Sequence, residues 1–388
     1  MLHNRNDNAT FNHFNLELID PEFGSNLTDL IIELDYLRKK KLSGTTHPTI
    51  FFQLKHIFHM LESIGSARIE GNHTTIAEYI ETKLNDKKSK DENILEIQNS
   101  EDAIAFIEKN ISGNEINRLF ISELHKIVVK NLNREGSKNP GEYRKNNLII
   151  NGSNHKPPDY VKVADYMSEL FDFIRTKTPD KYDLLKTAIA HHRFAWIHPY
   201  DNGNGRTVRL LTYAMLVKLG FNVNVGRILN PTAVFCNDRM QYYNALSEAD
   251  SGMRKGMLKW CEYVLGGLKT EIEKIDKLLD YEYLSKNILL PALNSARKRE
   301  TITNMEEKIL QIAINKQEFM SADIEKLFPG KAHTERSRVL NKLKKEKLII
   351  TLNDKSRKYV IRFDNNYLLR NIIEILGKNG FIPSNEEM

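Results

Sequence analysis

Apolar residues recur at three- and four-residue spacing through most of the chain, and this period predicts amphipathic α-helices. Two such segments lie on either side of a glycine-rich stretch, and neither helix can continue through it. The sequence therefore predicts a mostly α protein. The predicted helical segments are 27–42, 51–69, 93–110, 116–132, 163–177, 184–197 and 206–220.

Two segments interrupt the helical period. The charged stretch Leu84–Asn93 predicts a loop. In Asn146–Val163 a short β-rich run reaches Asn151-Gly152, a strong hairpin-turn pair, and ends at Pro157-Pro158. We expect a small β-hairpin standing on the helical body.

The pattern changes from about Thr303 onward. Three helical segments, 305–317, 321–329 and 335–348, precede two strands within 349–363. Three helices followed by a hairpin is the order of a winged helix-turn-helix. The predicted domains are an N-terminal helical region, a catalytic core, a helical linker, the winged helix-turn-helix and a C-terminal tail, at 1–95, 96–268, 269–302, 303–365 and 366–388.

Positive charge concentrates in this C-terminal segment. The whole chain has a formal net charge of +6. Met305–Arg362 holds 14 lysines and arginines against 8 aspartates and glutamates, an excess equal to that of the whole chain. The excess suggests an acidic partner, most simply a nucleic-acid backbone, and DNA binding and protein docking both stay open. The candidate phosphate contacts are Lys331, Arg336, Arg338, Lys342, Lys344 and Lys345 around the third helix, with Lys355, Arg357 and Lys358 on the wing.

Cysteine content and hydropathy exclude several classes of protein. The chain has two cysteines, Cys236 and Cys261, too few for a disulfide framework or a cysteine-rich zinc site. The N-terminus lacks the pattern of a signal peptide, and no run approaches the roughly 20 apolar residues that cross a bilayer. We expect a cytoplasmic protein with no membrane partner.

The glycine-rich break, Asp201–Gly205, lies before a helix that carries Arg206 and Arg209 in its first turn. A bend that feeds a helix N-terminus exposes backbone N–H groups and the positive end of the helix dipole, which favours an anion. Two arginines there oppose the dipole unless an anion binds, and a polyphosphate resolves that conflict. His198, just before the bend, is a candidate general base.

The segment "HPYDNGNGRTVR" resembles the signature of the Fic family, in which a His-Pro motif precedes a Gly-Asn-rich turn and two arginines. "GEYRKNNLIINGSNHKPPDYV" resembles the flap hairpin of that family, "EIQNSEDAIAFI" its early core helix, and "NDRMQYYNAL" its adenine-binding segment. The resemblance implies a Fic-type helical core with a β-hairpin flap. It also implies a nucleotidyltransferase that transfers AMP from ATP, with Mg²⁺ or Mn²⁺, to a Ser, Thr or Tyr hydroxyl of a target protein.

The same resemblance implies a role for each motif residue. His198 would deprotonate the attacking hydroxyl. The implied nucleotide-binding residues are Gly203, Asn204, Gly205, Arg206 for the β-phosphate, Arg209 for the γ-phosphate, and Tyr242, Tyr243 and Asn244 near adenine. The implied docking flap for the target is Leu148, Ile149, Ile150 and Asn151.

Two features bear on regulation and on the metal. The family places Asp or Glu before the first glycine to bind the metal, whereas this chain has Asn202, which implies weak metal binding, lower activity or a changed substrate. The segment "SARIEGN" reads by itself as a helix end with Gly71 as the stop. It also resembles the inhibitory motif of the family, in which Ser66, Glu70 and Gly71 would act as a brake and Glu70 would pair with Arg209.

Other functions stay open at this point. One alternative is a DNA-binding transcriptional regulator whose core senses nucleotide or is weakly active. Another is removal of AMP from a modified target in the same pocket, with Glu70 orienting water. Homodimerisation, frequent in the family, is also open. His191, His192 and His198 lack a carboxylate at metal-ligand spacing, so a packed helix is favoured over a metal site.

Overall fold

The computed structural model describes residues 11–39, 45–84, 89–150, 153–221, 230–353 and 356–382. The chain divides into two compact units: Met1–Lys41, Glu62–His73 and Lys90–Ile272 form the first, and Leu42–Leu61, Thr74–Ser89 and Glu273–Met388 form the second. The predicted N-terminal region, 1–95, is thus shared between them. Among the described residues, no helix has the length and apolar character that a bilayer crossing requires.

Helices dominate the described structure, as the apolar period predicts. In chain order they are α1 (Asn26–Lys39), α2 (Pro48–Ile69), α3 (Ile76–Leu84), α4 (Glu92–Asn110), α5 (Arg118–Val128), α6 (Val163–Arg175), α7 (Asp183–Ile197), α8 (Asn204–Lys218), α9 (Thr232–Cys236), α10 (Arg239–Ala249), α11 (Arg254–Asp276), α12 (Tyr281–Leu284), α13 (Leu290–Lys298), α14 (Asn304–Lys316), α15 (His333–Lys345) and α16 (Leu368–Lys378). The strands are β1 (Phe319–Met320), β2 (Ile349–Thr351) and β3 (Lys358–Ile361). Each of the seven segments predicted from periodicity contains a helix, namely α1, α2, α4, α5, α6, α7 and α8.

Two buried helices form the centre of the first unit. α7 and α8 pack against each other, α6 packs on α7, and α4 and α5 pack on α8. Nearly every residue of α7 is buried, so neighbouring elements pack around all of its faces. Trp260 of α11 reaches this centre and donates a hydrogen bond from Nε1 to the Ala188 carbonyl at 2.7 Å. The loop that joins α7 to α8 is therefore held at both ends by a packed core.

The second unit contains the small sheet and the C-terminal helices. α13 packs on α14 and α16, and the three strands form an antiparallel sheet in the order β1-β3-β2. Phe319 lies opposite Tyr359, and Ile350 lies opposite Val360. Thr303 and Glu306 form a capping box at the start of α14.

Three details of the C-terminal prediction were wrong. Segment 321–329 is not a helix but contains a single 3₁₀ turn, Glu325–Leu327, because Asp323 accepts a hydrogen bond from the Met320 N–H at 2.7 Å and so favours a turn. Strand β1 was not predicted. The predicted tail 366–388 contains α16, an amphipathic helix with a buried apolar face. The winged-helix assignment stays a prediction.

The predicted β-hairpin in 146–163 has no strand in its described residues. The guanidinium of Arg144 takes the place of a cross-strand ladder, since it donates to the Asn146 carbonyl at 3.0 Å and to the Pro158 carbonyl at 2.5 Å. The Asn147 carboxamide accepts from the Tyr160 N–H at 2.8 Å and donates to Asp159 at 2.9 Å. Side chains therefore join the two ends of this flap.

Candidate functional site

His198 ends α7 in the left-handed conformation, with φ 50° and ψ 62°. Its N–H donates to the Phe194 carbonyl at 3.0 Å, and Pro199 prevents a further helical turn. Arg144 fixes this geometry, because its Nε donates to the His198 carbonyl at 3.0 Å and its backbone N–H donates to the Pro199 carbonyl at 2.8 Å. The side chain of His198 is thus positioned by both the helix end and the flap.

His198 is half-buried and neutral at physiological pH. Burial, followed by the nearby positive charge of Arg144, lowers its pKa to about 4. A hydrogen bond to the Ala195 carbonyl and the negative charge of Glu70 act in the opposite direction. A neutral imidazole can accept a proton, and a polyanion bound beside it would raise its pKa toward neutrality.

Gly203 allows the sharp bend before α8. Its φ is +73°, and a Cβ at this position would lie 2.9 Å from Val129 Cγ1. As the residue before α8, glycine also provides no side-chain cap, and the first turn of α8 contains no acidic residue. The first backbone N–H groups of α8 are therefore available to an anion.

The neighbouring polar residues shape the bend. The Asn204 carboxamide accepts from the Tyr200 N–H and donates to the Tyr200 carbonyl, both at 2.9 Å. Asp201 accepts hydrogen bonds from the Ser137 hydroxyl and from the Lys138 N–H. These two side chains stabilise the loop from within.

The arrangement around Asn202 does not fit a resident metal ion. Its Oδ1 accepts from the Gly203 N–H at 2.7 Å, and its Nδ2 donates to the Arg134 carbonyl at 3.2 Å. Asp201, next to it, is already bonded to the 137–138 segment. Across the described residues, no cluster of three or more His, Cys, Asp or Glu side chains is placed to hold a metal.

His125 of α5 also supports the bend and was missed by the sequence analysis. Its Nδ1 accepts from the Gly141 N–H at 2.8 Å, so the proton lies on Nε2, which donates to the Asn202 carbonyl at 3.0 Å. Its ring stacks on Tyr200 with centroids 3.7 Å apart. Burial lowers the pKa of His125 to about 4, which keeps the ring neutral. Its place on the apolar face of α5 was the only signal in the sequence.

Arg209 of α8 is bound by the segment predicted to be inhibitory. Its guanidinium lies 2.7 Å from Glu70 Oε1, and it donates to the Ser66 hydroxyl and the Ser66 carbonyl, each at 2.9 Å. Arg209 is fully buried, which strengthens these charge-assisted bonds. Gly71, with φ +98°, ends the turn after α2 and so directs Glu70 back toward α8.

Glu70 also covers the start of α8. A Cβ on Gly205 would lie 2.0 Å from Glu70 Oε1, so only glycine leaves room for this carboxylate. Burial raises the pKa of Glu70, but the charges of Arg209 and Arg206 and the hydrogen bond from Arg209 outweigh burial and hold that pKa below its usual value. The carboxylate thus lies at the helix N-terminus, as an anion does in such a site.

Arg206 is paired with carboxylates in this structure. Its guanidinium lies 3.0 Å from Glu96 Oε1 and 3.5 Å from Glu135 Oε2, and it donates to the Glu135 carbonyl at 2.8 Å. The other oxygen of Glu96, Oε2, accepts a hydrogen bond from the Asn72 carboxamide at 2.8 Å. Segment 66–72 therefore contacts Arg209 directly through Glu70, and it is connected to Arg206 indirectly, since Asn72 donates to Glu96. The sequence analysis identified neither Glu96 nor Glu135.

The three residues predicted to lie near adenine differ in exposure. Tyr242 is buried and donates its hydroxyl proton to His191 Nε2 at 2.9 Å, because His191 Nδ1 donates to Thr212 at 2.7 Å. Tyr243 is 39% exposed and lies over Arg239, 5.4 Å from the guanidinium carbon to the ring centre. Asn244 is exposed. His192 bonds to Asp250 at 3.0 Å, as expected for a packed helix.

The predicted docking flap is accessible. Ile149 is 59% exposed, and Leu148 and Ile150 are half-buried. Asn151 lies outside the described residues. The Ser153 N–H donates to the Ile150 carbonyl at 3.2 Å.

A neutral histidine beside an uncapped helix N-terminus is an arrangement that can bind an anion, and comparison with known proteins shows what this region is similar to. Residues 115–216 match the model of the Fic/DOC family. The matched segment, which contains His198 and the bend, is therefore similar to a Fic/DOC domain. It is 32% identical over 209 residues to the protein adenylyltransferase Fic of Drosophila willistoni and 29% identical over 213 residues to that of Nematostella vectensis.

These relatives are matched only in part. Each alignment covers 52% of this chain but 37% and 44% of the respective relative, so the chain spans about two fifths of their length. A Fic family protein of Desulfovibrio desulfuricans G20 resembles the structure with a TM-score of 0.54 at 19% identity, over 88% of this chain and 97% of that one. Fic-1 of C. elegans has a TM-score of 0.50 at 21% identity, over 63% of this chain and 70% of that one. Both solved structures support the fold.

Proposed function

We propose that this protein transfers AMP from ATP to a hydroxyl side chain of a target protein. The observation that carries the proposal is the neutral His198 beside the uncapped N-terminus of α8, with Arg209 in the first turns of that helix. The relatives that share this region are named protein adenylyltransferases. Transfer of this kind requires positioning and charge neutralisation, which these groups supply.

In the proposed reaction, His198 accepts the proton of the Ser, Thr or Tyr hydroxyl. The hydroxyl oxygen then forms a bond to the α-phosphorus of ATP, and the bond from that phosphorus to the oxygen bridging the α- and β-phosphates breaks. The products are the AMP-modified hydroxyl and pyrophosphate, and the proton on His198 leaves to solvent. The N–H groups of Gly205 and its neighbours hold the phosphate oxygens, where glycine permits close approach.

Arg209 is proposed to bind the γ-phosphate and Arg206 the β-phosphate. Both require an exchange of partners, since Arg209 is bonded to Glu70 and Arg206 to Glu96 and Glu135. Tyr242, Tyr243 and Asn244 are proposed to flank the adenine, and the flap segment 148–151 is proposed to align the target by strand-like pairing. Dependence of the transfer on Mg²⁺ or Mn²⁺ stays a prediction. Asn202 supplies no charge to a metal ion, and its Oδ1 already accepts a hydrogen bond from Gly203.

Glu70 is proposed to act as a brake on this reaction. Its carboxylate pairs with the guanidinium of Arg209 and also fills the space beside Gly205. A γ-phosphate that competes for Arg209 must displace a buried charge-assisted pair, so ATP binds weakly or in an unreactive position. Ser66 reinforces the pair through two further hydrogen bonds to Arg209.

Differently labelled ATP tests the reaction class. With Glu70→Gly, label from the α-phosphate should appear on protein, whereas label from the γ-phosphate should not. Transfer of the γ-label would show a kinase reaction instead. Loss of AMP from a modified target with the wild type but not with Glu70→Gly, and no transfer from ATP by either, would favour the AMP-removal alternative, in which Glu70 orients water.

The C-terminal region supports a second proposed function, binding to DNA. The observation that favours it is the excess of basic residues in Met305–Arg362, several of which are exposed on α15. Retention on DNA at low salt and a steep loss of binding with added salt would support it. Homodimerisation stays a prediction that light scattering checks.

A further inference from the structure

One face of α15 points away from the core of the second unit. Leu340 and Leu343 are buried and define the inner face. The residues opposite, at helical spacing, are Thr334, Arg338, Asn341 and Lys345, all exposed. An α-helix with an accessible polar face has the dimensions that the major groove of DNA admits.

The basic residues of this region differ in availability. Arg336 lies 2.7 Å from Glu325, Lys342 lies 2.7 Å from Glu306, and Lys358 lies 2.8 Å from Glu318. These three predicted phosphate contacts are therefore already paired. From 331 to 358, leaving out 354 and 355, five exposed cations form no ion pair in the structure: Lys331, Lys344, Lys345, Lys347 and Arg357. Lys355 lies outside the described residues.

The chemistry of this surface favours a polyanion over a protein. Docking surfaces for proteins are centred on aromatic and large apolar side chains. From 331 to 362, leaving out 354 and 355, the described residues include no exposed large hydrophobic side chain. Hydroxyl, carboxamide and guanidinium groups line the outer face instead, and these are the groups that read base edges.

We propose that α15 enters the major groove of duplex DNA with Thr334, Arg338 and Asn341 toward the bases. Lys331, Lys344, Lys345 and Lys347 contact the phosphates on either side, and Arg357 contacts the backbone from the β2–β3 connection. The Arg338 guanidinium lies 2.9 Å from the exposed Glu335 carboxylate. When DNA binds, Arg338 leaves this carboxylate and contacts a base. This inference rests on the proposed DNA-binding function and adds which face binds and which residues give sequence preference.

The experiment measures binding of the full chain to a random-sequence duplex by fluorescence anisotropy, as a function of salt. Lys344→Glu/Lys345→Glu removes two proposed phosphate contacts. Lys277→Glu/Lys298→Glu makes the same charge change at exposed positions outside α15 and the strands. We expect the first variant to bind at least about tenfold more weakly, with a salt slope smaller by about 2, and the second to bind as wild type.

Sequence preference is measured separately, by selecting bound duplexes from a randomised pool. Arg338→Ala/Asn341→Ala should bind the pool with nearly wild-type salt slope but lose the preference. Equal loss in both lysine variants, wild-type binding by Lys344→Glu/Lys345→Glu, or an unchanged preference in Arg338→Ala/Asn341→Ala would overturn the inference while leaving DNA binding intact. No binding by wild type at low salt, or equal binding to polyglutamate, would overturn DNA binding itself.

Discussion

Replacing Glu70 with glycine removes the carboxylate that lies 2.7 Å from Arg209 and against Gly205. The variant leaves Arg209 buried with its two hydrogen bonds to Ser66, so the guanidinium stays in position but loses its counter-charge. A γ-phosphate can then bind Arg209 without displacing another anion. Both ATP affinity and AMP transfer should therefore rise.

The size of the effect follows from one charge-assisted hydrogen bond. A hydrogen bond to a charged group contributes about 1.5–3 kcal/mol. Since about 1.4 kcal/mol is a factor of ten, the release of Arg209 should increase ATP affinity by about 10- to 150-fold. Glu70→Gln keeps a hydrogen-bonding side chain but removes the charge, and we expect an intermediate gain.

Isothermal titration calorimetry with ATP and ADP tests this reasoning. Because the freed guanidinium meets the γ-phosphate, the gain should be large for ATP and small for ADP. An equal gain for both nucleotides would show that Glu70 acts only by filling space. Unchanged ATP affinity together with unchanged AMP transfer, in a variant that melts at the wild-type temperature, would refute the brake.

Four further outcomes are expected. Gly203→Ala should lower stability by about 1–3 kcal/mol more than Gly220→Ala, measured by urea unfolding, because both have positive φ but only position 203 meets a neighbouring side chain. His125→Gln should flatten the pH dependence of the free energy of unfolding. The pKa of His125 is about 4 in the folded protein and ordinarily 6.5, so protonation favours the unfolded chain. The wild type should therefore lose stability, on the order of 3 kcal/mol, as the pH falls from about 6.5 to 4, and the variant should not. Arg144→Lys keeps the charge but loses the fork that joins the flap to α7, so kcat should fall about 100-fold with ATP affinity unchanged. Asn202→Asp should make ATP affinity depend more strongly on Mg²⁺, and identical Mg²⁺ titrations would contradict this.

The helical core was predictable because its signal is local. Apolar spacing located α7 and α8, and the glycine-rich break located the loop between them. Strand β1, of two residues, gave no such signal, since its pairing with β3 depends on a partner nearly 40 residues away. The flap was predicted as a hairpin from Asn151-Gly152, but Arg144 and Asn147 satisfy the backbone groups near its ends without strands.

The sequence predicted the candidate site residues that lie within the recognised motifs. It did not predict the residues that reach the site from other elements. The pairing of Glu70 with Arg209 was expected, and the structure has the two in contact. The carboxylates that hold Arg206 come from α4 and from the loop after α5, so no spacing in the sequence connects them. The commitment of the Asn202 oxygen to Gly203 likewise depends on backbone geometry.

The most direct measurement of the central claim is mass spectrometry of Glu70→Gly and Glu70→Gly/His198→Ala after incubation with ATP and divalent cation. Self-modification or modification of added protein should add AMP in the first variant and not in the second. His198→Ala should leave ATP affinity nearly unchanged, which separates loss of the base from loss of binding. AMP addition of equal extent in both variants, or in neither while ATP is bound, would contradict a histidine-dependent AMP transferase.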